Sequence, residues 1–226
     1  MKSAVARRMV TAAVVVAGAS FATPSGAAPI TTLYNTGVND SGTPMANGAA
    51  ATRYTLLNAP TGAATTLRVA TSANGYPIPP WLGDDRLSAW IGPNSDAALD
   101  GPAGNYDYRT TFSLTGFDAA TASIVGRFAA DDSGIVLLNG IAVTGVQSLG
   151  FSSFTPFTID RGFVAGINTL DFVVNNGGGP TGLRAEMTGT ANASAVPEPS
   201  TLAVLALPAG LAGLLTLKRR RHADRA

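Results

Sequence analysis

The stretch Pro79-Pro80-Trp81-Leu82-Gly83-Asp84-Asp85-Arg86-Leu87-Ser88-Ala89-Trp90 holds the densest mix of aromatic, acidic and basic side chains in this 226-residue chain. Indole faces stack on the apolar faces of sugar rings, and carboxylates and guanidinium groups bond to hydroxyls. Trp81, Asp84, Asp85 and Arg86 are therefore candidate carbohydrate contacts. Pro79-Pro80 sets Trp81 on a stiff extended segment, which predicts that Trp81 is exposed. Trp90 lies in an apolar run and is expected in the core. The competing reading is that one or both indoles simply pack inside.

Other chemistry is narrower. The chain has no Cys and one His, His222, which lies in a basic tail. A disulfide framework, a thiolate metal site and a cysteine nucleophile fall away, as do a Ser-His-Asp triad and His-based zinc or iron sites. Two carboxylates about 5–10 Å apart could hydrolyse a glycoside. Of the twelve acids in residues 29–195, however, only Glu186 is a Glu. It is expected on the polar face of a strand beside Arg184, in an ion pair or solvated. The expectation is a non-enzyme with no catalytic residue and no cofactor. Calcium remains an open alternative, because Asn39-Asp40, Asp84-Asp85, Asp96 with Asp100, and Asp131-Asp132 offer oxygen ligands on turns. No segment has the spacing of a calcium-binding loop, and the same residues also simply make turns.

The elements that must position these groups read as strands. In Tyr106–Leu114, Tyr106, Tyr108, Phe112 and Leu114 share one face, and Asp107, Arg109, Thr111 and Ser113 the other. Thr121–Ala129 and Leu183–Gly189 also alternate, and period two is the strand signature. Ile135–Leu138 and Leu170–Val174 are continuous apolar runs, rich in branched residues, that suit buried strands. Weaker strands are expected near Thr31–Asn35, Arg53–Leu57, Thr65–Ala70, Leu87–Ile91 and Phe157–Ile159. Turn signals at Asn74-Gly75, Asp100-Gly101-Pro102, Asp132-Ser133-Gly134, Asn139-Gly140 and Asn176–Pro180 separate them. About ten short strands and no full-length amphipathic helix predict an all-β body, a β-sandwich of jelly-roll type.

The two ends read as addresses. Lys2, Arg7 and Arg8 precede the apolar run Met9–Ala19, and small residues follow at Ser20-Phe21-Ala22 and Ser25-Gly26-Ala27. Residues 1–28 thus fit a secretory signal peptide, cleaved between Ala22 and Ala28. The body is expected over 29–190, with a flexible linker over 191–195. At the other end, Val196-Pro197-Glu198-Pro199-Ser200 precedes the uncharged run 201–217, which Lys218-Arg219-Arg220-Arg221 closes. Seventeen helical residues rise about 25 Å, near the lower limit for a span. The basic cluster predicts a cytoplasmic C-terminus.

This order of motif, short span and basic stop over residues 196–226 resembles the PEP-CTERM sorting signal of exopolysaccharide-producing Gram-negative bacteria. The resemblance implies that an exosortase recognises Val196, Pro197, Glu198 and Pro199. It also implies that Lys218, Arg219, Arg220 and Arg221 stop transfer, and that the protein passes from the inner membrane to the cell surface or extracellular matrix. A second resemblance covers residues 105–190. Ala129–Gly140 followed by Phe163–Leu170 is similar to the galactose-binding-like sandwich of many carbohydrate-binding modules. It implies a strand, a tight Asn139-Gly140 turn and a return strand, then a strand opened by Gly166-Ile167-Asn168.

Charge supports an exported body. The near-neutral total of +1 conceals two basic ends of +3 each around a body of −5, with seven Arg and no Lys. Such a body has no basic footprint for nucleic acid. The expected role is an exported, non-enzymatic surface or matrix protein associated with exopolysaccharide or biofilm. A carbohydrate-binding module is the alternative, and a glycan-active enzyme a third, weaker one.

Overall fold

The computed structural model describes residues 26–94 and 96–194. The sorting motif, the apolar run, the basic stop and nearly all of the signal peptide lie outside the described residues. Among the described residues, no helix is long and apolar enough to cross a membrane.

Among the described residues, eleven strands form two antiparallel sheets. One sheet contains β3 (Arg68–Ala70), β4 (Trp90–Gly92), β11 (Gly182–Asn192), β6 (Ser123–Asp131) and β9 (Thr155–Ile159), in that order. β1 (Ala27–Pro29) pairs with the end of β11 to make it six-stranded. The other sheet runs β2 (Thr55–Asn58), β5 (Gly104–Ser113), β10 (Ile167–Asn176), β7 (Ser133–Leu138), β8 (Ile141–Ser148). Helical structure among the described residues is limited to two short 3-10 turns, Ser72–Asn74 and Ala119–Thr121.

The period-two patterns place the core. Along β5, Tyr106, Tyr108 and Phe112 point inward and are buried, while Asp107, Arg109, Thr111 and Ser113 point outward. β10 alternates likewise, with Leu170, Phe172 and Val174 inward. Phe172 meets Phe128 of β6 at 5.5 Å, and Phe128 meets Phe157 of β9 edge-on at 6.0 Å. Aromatic residues from both sheets thus interlock across a single core, and each buried large side chain contributes about 1.5–3 kcal/mol. The all-β expectation holds, and the two antiparallel sheets form a sandwich.

Local chemistry explains the strongest turn. Asn139 (φ 51°) and Gly140 (φ 80°) both take the left-handed conformation that a two-residue hairpin requires. The hairpin joins β7 to β8, the return strand implied by the resemblance. Asn139 is also pinned from the side. Its Nδ2 donates to Gly162 O and Asn168 Oδ1, and its Oδ1 accepts from Thr169 N, all at 2.9 Å.

Two expectations are corrected. Residues 31–35 form no strand: Ile30 N bonds to Gly189 O, after which the chain leaves the sheet edge in a turn. Residues 191–194 are not a free linker. Ala191 and Asn192 are the last residues of β11, Ala193 bridges Phe117, and Ser194 N donates to Gly116 O. Their small side chains read as linker composition, but Ala191 is small because it is buried against the core.

Ala27 pairs with Asn192, so the two ends of the described chain lie side by side at one pole. The Asn139-Gly140 turn and residues 160–166 share this pole. The opposite pole carries residues 93–94 and 96–103, the turn after Asp131 and the glycine-rich segment 177–181. Gly101 and Gly179 pair there.

Candidate functional site

The predicted sugar contacts are drawn into a different structure. Trp81 is 3% exposed, a correction to the expectation of an open indole. Its ring centroid lies 4.3 Å from that of Trp90, and both belong to a second apolar cluster with Ala70, Ile78, Ala97 and Ala129. This cluster lies on the outward side of the six-stranded sheet, where Ala129 points. On β4 the alternation sends Ile91 to the main core and Trp90 to this one. The Trp81 indole packs on β11 at Gly182, where a Cβ would come within 2.7 Å of the ring. Its Nε1–H donates to Asp131 Oδ2 at 2.8 Å. The stiff proline segment therefore delivers Trp81 onto the sheet as the edge of a roof.

Charged residues lie under the same roof. Arg184 and Glu186 point outward from β11, yet both are buried, Arg184 to 1% exposure. Glu186 pairs with Arg127, its register partner on β6, at 2.7 Å and with Arg184 at 3.7 Å. Arg184 bonds through Nε to Ser88 Oγ at 2.8 Å and pairs with Asp85 at 2.7 Å, while Nη1 donates to Gly83 O. Ser88 Oγ donates onward to Glu186 Oε1 at 2.8 Å. Phe154 lies against both guanidinium groups. Burial pushes the Asp85 carboxyl up. The N–H groups of Leu87 and Ser88, the neighbouring Glu186 and the charge of Arg184 outweigh it, so Asp85 ends below the ordinary carboxylate range. Buried charges persist only when paired and hydrogen-bonded in this way. Glu186 is thus in an ion pair, as one of the two readings expected.

Asp84 accepts from Ser72 N and Oγ at the start of the 3-10 turn that Thr71 caps. Arg86 is exposed and has no hydrogen bond or ion pair within the described residues. Trp81, Asp84, Asp85 and Arg86 are not brought together as one open cleft. The candidate calcium loops are likewise engaged locally. Asn39 Oδ1 accepts from Ser41 N and Thr43 N, Asp40 pairs with Arg53, and Asp96 accepts from Asn74 and Ala98 N. Asp132 accepts from Gly177 N at 2.7 Å. No three acid or His side chains converge on a cation position among the described residues.

A second constellation lies on the outward face of the five-stranded sheet, where no roof forms. Arg109 of β5 faces Asp171 of β10 as a direct register partner. Its Nε and Nη2 grip the two carboxylate oxygens at 2.6 and 2.8 Å, a bidentate fork. Asp171 holds the guanidinium more firmly protonated by that bond. The Arg109 side chain remains 30% exposed. Asp107, one step along β5, has its carboxyl pushed up by burial and by the charge of Asp171, against the pull of Arg109. In the other direction along β5, Thr111 and Ser113 lead into a cavity of about 300 Å³, which Thr32, Tyr34, Arg53 and Ile167 also line. Arg53 stacks on the Tyr34 ring at 4.1 Å.

This strip offers the fixed planar donors of Arg109, a row of hydroxyls and, at a cavity, the Tyr34 ring with Arg53 stacked on it. That is the inventory of a polyhydroxylated ligand site. The alternation in Tyr106–Leu114 had put Asp107, Arg109, Thr111 and Ser113 on one polar face. Asp171 escaped notice inside the apolar run Leu170–Val174. An acid in the middle of such a run, on the outward parity, was the available signal for a partner across the ladder.

No family model and no curated protein matches the chain. Solved structures show similarity at low scores. The CBM36-1 domain of a multidomain xylanase from the hindgut metagenome of Trinervitermes trinervoides is 18% identical, over 42% of this chain and 78% of that one, with a TM-score of 0.29. The CBM35 of Paenibacillus barcinonensis is 17% identical, over 65% and 96%, with a TM-score of 0.31. The Podospora anserina GH26-CBM35 β-(1,4)-mannanase is 16% identical, over 77% and 29%, with a TM-score of 0.29. The likeness is loose at these scores.

Proposed function

We propose that this protein is an exported, non-catalytic carbohydrate-binding module that holds a neutral glycan along the outward face of the five-stranded sheet. The observation that carries the reading is the Arg109–Asp171 fork on an unroofed strand face. The buried Asp171 fixes the partly exposed Arg109 before any ligand arrives, so a hydroxyl meets guanidinium donors that need no reordering. Asp107 and Thr111 extend the polar strip in both directions, and the Tyr34 cavity is large enough to take a sugar ring at one end. The body's charge of −5 favours a neutral chain over a polyanion.

The ends supply the address. Residues 1–28 direct export, and residues 201–217 anchor the chain in the inner membrane with Lys218–Arg221 inside. An exosortase then recognises Val196, Pro197, Glu198 and Pro199 and passes the protein to the cell surface or matrix, where exopolysaccharide is the natural ligand.

A glycan array probed with the full chain tests the binding. Retention on at least one neutral polysaccharide is expected, and retention on none overturns the reading. Release of sugar from a bound glycan, abolished by a single Asp replacement, would overturn its non-catalytic part. For the address, replacing Pro197, Glu198 and Pro199 by Ala is expected to leave full-length precursor in the inner membrane. Unchanged processing would contradict it.

A further inference from the structure

Which way a membrane-tethered sandwich faces depends on where its chain leaves the fold. Here Ser194 is still bonded to Gly116, and the uncharged run begins at Thr201, seven residues on. Seven extended residues reach at most about 25 Å. Pro197 and Pro199 stiffen part of that length. The pole that carries Ala27 and Ser194 is therefore held close to the bilayer.

That pole also presents apolar side chains to solvent. Ile141, just after the Asn139-Gly140 turn, is 75% exposed, and Val164 is 49% exposed. They flank one structural unit. Val164 N donates to Asn168 Oδ1, which also accepts from Asn139 Nδ2, both at 2.9 Å. Ile141 also lines an open groove of about 500 Å³ between the edge strands β8 and β9, with Leu138, Val143 and Ile159 and the polar Thr144, Thr158 and Arg161. The charges are few and mixed: Asp118, Asp160 and Arg161, the last two paired at 3.2 Å. The opposite pole carries Asp96, Asp100 and the exposed Asp132, with no Arg among residues 93–103 or 177–181. Acidic loops are repelled by anionic headgroups such as phosphatidylglycerol.

We propose that the pole bearing the chain ends is a lipid-contacting surface, with Ile141 and Val164 resting in the interfacial region of the bilayer. This rests on the reading that residues 201–217 anchor the chain, and it describes the inner-membrane form before the exosortase acts. The sandwich then stands with its glycan-binding face parallel to the membrane normal and its acidic pole outward. Exposed aliphatic side chains beside a short tether gain interfacial burial at little added ordering cost, because the tether has already restricted the body.

The chain has no Cys, so single replacements label cleanly. Full-length Ile141→Cys, Val164→Cys and Leu99→Cys, each carrying a fluorophore, are reconstituted in vesicles of phosphatidylethanolamine and phosphatidylglycerol containing a nitroxide-labelled lipid. Leu99 is an exposed apolar residue of the opposite pole. Quenching several-fold stronger at 141 and 164 than at 99 is expected. Equal quenching at all three sites, in chains that float with the vesicles, overturns the lipid-contacting pole and leaves the anchor standing. Chains that do not float overturn both.

Discussion

Each sheet carries a cross-strand Arg–carboxylate pair on its outward face, with a buried carboxylate and a partly exposed Arg, but only one of the pairs is tied to further charges and a loop. On the six-stranded sheet, Glu186 and Arg127 are joined by Arg184, Asp85 and Ser88 beneath a roof built from residues 71–90 and Phe154. On the five-stranded sheet, Arg109 and Asp171 make a comparable pair with no roof. The same chemistry thus serves two ends. On the six-stranded sheet it fixes a loop through Arg184, whose fully buried guanidinium would be costly if left alone. On the five-stranded sheet it stands by itself, and the buried Asp171 holds the partly exposed Arg109 in place as a preset donor.

The sharpest way to break the comparison is to remove one partner on each side. Glu186→Ala removes the buried carboxylate shared by Arg127, Arg184 and Ser88, leaving Arg184 only Asp85, and is expected to cost about 3–5 kcal/mol in urea unfolding. Asp171→Ala leaves an Arg109 that can reach water, so about 1–2 kcal/mol is expected. Equal costs would show that the open face is structural too. Trp81→Ala is expected to rank beside Glu186→Ala, at about 3–5 kcal/mol, because it empties the second apolar cluster. An exposed, ligand-stacking Trp81 would instead lose binding with little change in stability.

Gly182→Ala sits lower, at about 1–3 kcal/mol, from the clash with the Trp81 ring. Its signature is a red-shifted tryptophan emission as the roof lifts.

Asp131 gives a pH-dependent probe of the same roof. Burial raises its carboxyl to about 7, with Asp132 adding to the rise and the Trp81 N–H opposing it. The unfolded carboxyl titrates near about 4. Between these values the folded state binds more protons, so this group's share of stability falls as pH rises from about 4 to about 7, then stays level. Asp131→Asn keeps an acceptor for Trp81 and removes the titration. Its melting temperature is therefore expected to gain on the native protein's as pH rises through that window. A constant difference between pH 4 and 8 would contradict the assignment.

The smallest effect on stability belongs to the open face. Thr111→Val is expected to change unfolding by no more than about 0.5 kcal/mol, as surface substitutions do, while weakening glycan retention.

How much of this was legible can be judged residue by residue. Alternation in Tyr106–Leu114 gave the correct inward and outward sets, because a strand with one face in a core must separate its side chains by parity. The burial of Trp90 followed from the apolar run around it. Trp81 misled for a physical reason: Pro79-Pro80 does make an extended lead-in, but local stiffness says nothing about what the segment lies upon. Gly182, a hundred residues away, decides that by leaving room for the indole. The Arg109–Asp171 fork was half visible, since parity exposed Arg109 while its partner depended on the register of β10 against β5. Register is a long-range property set by the whole ladder, and so is the arrival of Ala27 beside Asn192. That pairing carries a consequence for processing. Cleavage after Ala22 would preserve β1, whereas cleavage after Ala27 would remove part of it.

The central claim is that the unroofed pair binds glycan. The direct test is the affinity of the full chain for its best neutral polysaccharide, measured beside Arg109→Met/Asp171→Leu. Replacing both partners avoids a stranded charge and is expected to leave the unfolding midpoint near that of the native protein. The account predicts at least about a tenfold loss of affinity, equivalent to about 1.4 kcal/mol. A folded double variant that binds as tightly as the native protein would contradict it.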